Sequence, residues 1–138
     1  MISSNLAESV RVSAPVSIGE LFDKITILQI KSERMSDESR LANVRYELAL
    51  LEEVAASHIP ADRSELDKTV GELRRVNEML WDIEDEIRLC EKDKSFGSRF
   101  IELARAVYHT NDNRAALKRD INTMLGSAIV EEKSYAPY

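Results

Sequence analysis

Between Pro60 and Gly97 the chain has no proline and a single glycine, Gly71, and one apolar seam runs almost the whole way. Leu66, Val70, Leu73, Val76, Leu80, Ile83, Ile87 and Cys90 recur at steps of three and four, which places them on one face of a helix. Ser64-x-x-Asp67 offers a weak cap, so the helix is expected over residues 64–92. At 1.5 Å per residue it is ~45 Å long, more than an average globular helix. Gly71 is its one weak point. With four glycines and three prolines in 138 residues, all-β and Rossmann-like folds lack their turn residues. A single all-α domain is expected.

Three further helices follow from the same reasoning. Ser17-Ile-Gly-Glu20 reads as a capping box, with Ser17 accepting from the backbone and Glu20 reaching back. It opens a first helix over residues 18–35. Ile25-Thr-Ile-Leu-Gln-Ile30 is rich in β-branched residues, but the cap and the stripe Leu21, Ile25, Leu28, Ser32 favour helix. Ile27 and Ile30 add a second apolar face, so this helix is either central or an oligomer interface. Ser36 to Ser39 supply a turn and cap. A second helix, over 38–57, carries Leu41, Val44, Leu48, Leu51 and Ala55 and folds back antiparallel on the first. After the long third helix, Ser95 to Ser98 turn the chain into a fourth, over 98–125, stopped by Gly126. The domain plan is a leader over 1–16, a helical domain over 17–126 and an extended tail over 127–138. Residues 10–12 and 127–130 are candidates for a minimal β ribbon.

Acidic residues outnumber basic ones 25 to 19, for a net charge of −6. No basic patch interrupts this, since Arg74-Arg75 and Lys118-Arg119 are isolated pairs, so neither nucleic acid nor an anionic membrane is an expected partner. One cysteine, Cys90, gives no disulfide framework and no Cys-based zinc site. Residues 1–16 lack the pattern of a signal peptide, and no apolar run approaches the ~20 residues of a membrane span. The expected setting is the cytoplasm.

The third and fourth helices should form a long antiparallel hairpin in which the numbers of facing residues sum to about 190. This places Arg88 near Glu102, Glu84 near Arg105 and Tyr108, Trp81 near His109, and Asn77 near Asn113 and Arg114. Charge agrees: residues 62–93 hold eleven acids and six bases, residues 97–125 five bases and three acids. Asn77, Trp81, Glu84 and Arg88 line one helix face, and Asn111, Arg114 and Lys118 interrupt the aliphatic series of the fourth helix. The candidate ligand-binding cluster is Asn77, Trp81, Glu84, Asp85, Arg88, Arg105, His109, Asn111 and Arg114. Polar residues beside a helical seam ordinarily fix register through hydrogen bonds and ion pairs, and that reading takes precedence.

Motifs for specific chemistry do not emerge. Glu52-Glu53 lacks the third glutamate of a magnesium-binding Glu-Glu-x-x-Glu element. Neither His58 nor His109 has a glutamate three residues before it, as di-iron bundles require. There is no glycine-rich phosphate loop and no nucleophile set at interpretable spacing. No metal and no cofactor are expected, and Cys90 reads as a buried seam residue.

Ser17-Ile-Gly-Glu-Leu-Phe-Asp-Lys-Ile-Thr-Ile-Leu-Gln-Ile-Lys31, Leu80-Trp-Asp-Ile-Glu-Asp-Glu-Ile-Arg88, Tyr108-His-Thr-Asn-Asp-Asn-Arg114 and Glu131-Glu-Lys-Ser-Tyr135 together resemble a family of small bacterial helical proteins of unknown function. The resemblance covers the chain from Pro15 onward and implies no catalytic residues. It draws attention to Asp23, Lys24, Thr26 and Lys31. These read first as a solvated face with local ion pairs. The alternative is that they join the hairpin cluster, with Tyr135 and Tyr138 folding over it.

Two functions are open, and the first takes precedence. One is a structural or interaction module that self-associates, as a dimer through its first helix, or presents its acidic hairpin to a protein partner. The other is a binder or enzyme acting on an anionic small molecule such as a nucleotide or sugar phosphate. A scaffold should show its charges paired off and closed. A binder should show them converging on an open cavity.

Overall fold

A computed structural model of the chain describes residues 10–138. Its four helices are α1 (Ile18–Arg34), α2 (Glu38–Ala56), α3 (Ser64–Lys92) and α4 (Ser98–Leu125). The expected boundaries hold to within a residue, because capping and stop signals set them locally. Ser17 Oγ accepts the Glu20 N–H at 3.1 Å to start α1. Asp37 accepts from the backbones of Ser39 and Arg40 to start α2. Gly126, at φ 65°, takes the left-handed turn that ends α4, a conformation that costs other residues more.

Two caps differ in detail. The capping box is half formed: Glu20 does not return to the backbone, because its carboxylate is held by Lys118 on α4. At the start of α3, Asp62 accepts from the N–H and hydroxyl of Ser64, and Asp67 pairs with Arg63.

α1 is the central element: α2, α3 and α4 all pack against it, and α3 packs most extensively on α4. Leu21, Phe22 and Ile25 of α1 meet Ala55, Leu66, Leu73 and Ile121 in the core. Burying each large apolar side chain contributes about 1.5–3 kcal/mol. On the second apolar face of α1, Ile30 is buried and Ile27 partly so, so the chain's own helices cover most of both faces. Arg34 at the end of α1 bridges to Asp82 at 2.7 Å and lies over the Trp81 ring. Past Asn77, no residue of α3 is fully buried. The far half of the hairpin has little besides itself to pack on.

The expected β ribbon does not form. Among the described residues there is no strand, and Val10 and Val12 are almost fully exposed. The reason lies at the other end of the chain. The Ser127 hydroxyl accepts the Ile18 N–H and donates to the Ile129 carbonyl, which curls the segment. Glu131 is then anchored on Lys118. The part of the expected leader over residues 1–9 lies outside the described residues.

Candidate functional site

The first turn of a helix leaves several backbone N–H groups without helical partners. In α1 three of them are satisfied by side chains. Ser17 takes that of Glu20, Ser127 that of Ile18, and Asn122 Oδ1 that of Gly19 at 2.7 Å. The last contact brings α1 and α4 so close that a Cβ on Gly19 would collide with the Lys118 carbonyl. Glycine is needed there for the approach, since Gly19 does not adopt a positive φ.

This close packing buries polar residues between the helices. Asp23, 1% exposed, accepts Nε–H of Arg114 at 2.9 Å and Nη2–H at 2.5 Å. Asn77 on α3 donates to Asp23 Oδ1 and to Thr26 Oγ1, both at 3.0 Å. One turn further along α4, buried Lys118 donates to Glu20 at 2.7 Å and pairs with Glu131 at 2.8 Å. Among the described residues every buried side-chain nitrogen and oxygen has a partner. Full satisfaction makes such a network rigid rather than costly.

Protonation follows from these contacts. Burial pushes the Asp23 carboxyl up, but hydrogen bonds from Arg114 and Asn77, with the charges of Arg114 and Lys118, outweigh it and hold the group below its ordinary value. Burial pulls the Lys118 ammonium down, and the bonds to Glu131 and Glu20 raise it above the usual lysine value. The bond from Lys118 holds Glu131 low. Asp23 and Glu131 are therefore carboxylates and Lys118 an ammonium at neutral pH.

Arg114 is the member that reaches the surface, with 28% of its side chain exposed. Of its five N–H groups, two are fixed on Asp23 and one points at Asn111 Oδ1 at 3.4 Å. The outer edge of the guanidinium remains free to donate. Two concavities meet at this residue. The larger, about 950 Å³, lies between α4 and the C-terminal segment and is lined by Val107, Tyr108, Asn111, Arg114, Lys133 and Tyr138 among others. The smaller, about 290 Å³, lies on the α1–α3 side, with Trp81 and Glu84 on its wall. Arg114, Asn111 and Val107 belong to both. The Tyr138 hydroxyl donates to Asp112, and its ring packs on Tyr108 and His109. The tail thus roofs the larger cleft.

A comparison with known families matches residues 12–138 to DUF6165, a family of unknown function. The chain belongs to DUF6165. No curated protein and no solved structure matches it.

Of the nine residues proposed from sequence, Asn77, Trp81, Glu84, Asn111 and Arg114 line the smaller concavity together. Arg88 does not converge on it: the expected pairs Arg88–Glu102 and Glu84–Arg105 are replaced by Arg88–Glu84 along α3 and Arg99–Glu102 along α4. Asp85 and Arg105 are exposed. His109 sits not beside Trp81 but against Tyr108 and Tyr138. Arg34 occupies the place over the indole.

Asp23 and Thr26 are not on a solvated face but join Asn77 and Arg114 of the hairpin, the alternative the sequence leaves open; the anchoring pair Lys118–Glu131 has no counterpart in the sequence reading. Lys24 is exposed as expected. A signal for Asp23 was present. Asp23, Thr26, Ile27 and Ile30 fall at steps of three and four, so the second apolar face of α1 continues back through Asp23. Among the described residues, no three His, Cys, Asp or Glu side chains cluster as metal ligands, and no helix is long and apolar enough to cross a membrane.

Proposed function

We propose that this chain is a binding module for an anionic small molecule, seated in the cleft between α4 and the C-terminal segment. One observation carries the reading. Arg114 is locked by buried Asp23, which balances its charge, while its remaining N–H groups line a cleft that also carries Lys133 and Asp112. A guanidinium held in a fixed plane suits carboxylate or phosphate. The volume falls within the range of about 300–1,000 Å³ usual for small-ligand sites.

Thermal unfolding across a panel of phosphorylated and carboxylated metabolites tests this. A ligand at a hundred times its Kd adds about 2.7 kcal/mol, so at least one compound should raise Tm by several degrees. Lys133→Glu should abolish that rise without lowering the ligand-free Tm. A flat response across the panel, or an undiminished rise in Lys133→Glu, contradicts the proposal.

A second reading, self-association as a dimer, is supported by Met79, Leu89, Phe96 and Ile101, which are about half exposed on the hairpin. With most of α1 covered, the far half of the hairpin is the surface this reading would use. Sedimentation equilibrium at micromolar concentration should then give a dimer; a strict monomer removes it. A bacterial cytoplasmic setting, which the resemblance implies, completes the proposal, and the acidic charge favours partners other than nucleic acid or an anionic membrane. Cell fractionation tests the location.

A further inference from the structure

We infer that the ligand of the larger cleft joins its anionic group to a flat aromatic ring, as a nucleotide does. This rests on the reading above that the cleft takes an anion. A lone phosphate or carboxylate would engage Arg114 and leave most of about 950 Å³ unfilled. Three tyrosines stand on the rest of the wall, beside Val107, Ala136 and Pro137. Tyr108, Tyr135 and Tyr138 all line the cleft and all stay exposed, Tyr138 at 74%.

Their mutual packing leaves ring surface available. Tyr138 meets Tyr108 at an interplanar angle of 63° and His109 at 84°, with centroids 5.1 and 4.7 Å apart. Both contacts of Tyr138 are edge contacts, so no parallel neighbour covers it, while Tyr108 also packs at 36° against His109 and is 40% exposed. Exposed tyrosine faces beside a fixed cation form a platform for a planar π-system, and base–aromatic stacking tolerates any base.

Spacing along α4 agrees. Tyr108 and Arg114 are six residues apart, about 9 Å along the helix axis. That separates a ring subsite from an anion subsite by roughly one nucleoside. Asn111 lies between them and also lines the cleft, placing an amide where a sugar hydroxyl or base edge would lie.

The test titrates the intact chain by calorimetry with adenosine monophosphate, adenosine, ribose 5-phosphate and phenyl phosphate, in the wild type and in Tyr108→Leu. The wild type should bind the nucleotide at least about tenfold more tightly than ribose 5-phosphate or adenosine, as expected for one stacked ring. Tyr108→Leu should lose that margin and leave ribose 5-phosphate binding unchanged. Phenyl phosphate binding as tightly as the nucleotide keeps the ring-plus-anion inference and moves the ligand class to aryl phosphates. Equal affinity for nucleotide and ribose 5-phosphate, or indifference to Tyr108→Leu, overturns the ring inference while the anion reading stands. Adenosine binding as tightly as its monophosphate overturns the anion reading and this inference with it; no binding by any of the four overturns this inference and leaves the anion reading to the wider panel.

Discussion

Asp23 on α1 accepts two N–H groups from Arg114 on α4, a residue 91 positions later in the chain. The pair closes the bundle across its centre and fixes the one arginine that both concavities share. Its geometry allows the stabilising and binding roles of Arg114 to be separated by substitution.

Asp23→Asn leaves the guanidinium half-buried without its carboxylate. Breaking a buried pair costs about 3–5 kcal/mol, and partial access of Arg114 to water should bring this to about 2–3 kcal/mol. Urea unfolding at pH 7 measures it. The double variant Asp23→Asn, Arg114→Met should recover much of the loss, since it removes both charges. The pH dependence carries a definite sign. Asp23 has a folded pKa below its unfolded value of about 3.9. Its contribution is therefore complete above that value and lost as pH falls through the folded pKa. Wild-type stability should drop more steeply in that acid window than that of Asp23→Asn.

Two glycines should respond with opposite signs to the same substitution. Gly19→Ala forces a methyl onto the Lys118 carbonyl, and overpacking against backbone should cost about 1–3 kcal/mol. Gly71 lies exposed within α3 with nothing within 4 Å of a new Cβ. Gly71→Ala should stabilise by about 0.5–1 kcal/mol through helix propensity alone. Thermal unfolding of the two variants decides it.

The tail is fastened through Lys118 and Glu131, and that fastening should be visible at both ends of the pH scale. Glu131 has a lowered pKa, so its bond persists above the unfolded value of about 4.3 and is lost as pH falls. Lys118 has a raised one, so its contribution is complete below about 10.4 and is lost as pH rises through the folded value. Glu131 is partly exposed, which limits the pair to about 1 kcal/mol or less. Glu131→Gln should therefore speed amide exchange over residues 129–138 by up to about fivefold at pH 7, leaving α1 to α4 unchanged. Exchange mass spectrometry reads this directly, and an unchanged tail refutes the fastening.

The helices were legible because their signals are local: a Ser or Asp at each early cap, a seam at steps of three and four, a glycine at the stop. Numbers summing to about 190 also put Asn77 beside Arg114. The failures are of longer range. Nothing near residues 127–130 announces that Ser127 and Asn122 will serve the N–H groups of Ile18 and Gly19, so an extended tail read as a ribbon strand. Glu20 looked like its own helix's cap because the competitor, Lys118, is 98 residues away. Asp23 reads first as solvated because a charged residue ordinarily is, yet the face it shares with Ile27 and Ile30 points inward and favours the second reading, membership of the hairpin cluster. Arg88 enters the candidate cluster through the helix face it shares with Asn77, and Arg105 through the facing rule, which fixes height along a hairpin but not the side on which a residue emerges.

A side-chain ¹⁵N–¹H correlation spectrum of the labelled chain, titrated with adenosine monophosphate, tests the central claim most directly. The account predicts that the Arg114 Nε–H signal, protected by Asp23, is present before titration. It should move with the Asn111 side-chain amide and the backbone amides of Tyr135 and Tyr138, while Arg88 and Arg105 stay still. Shifts centred on Arg88, Arg105 or the hairpin tip, or no shifts at all, would contradict it.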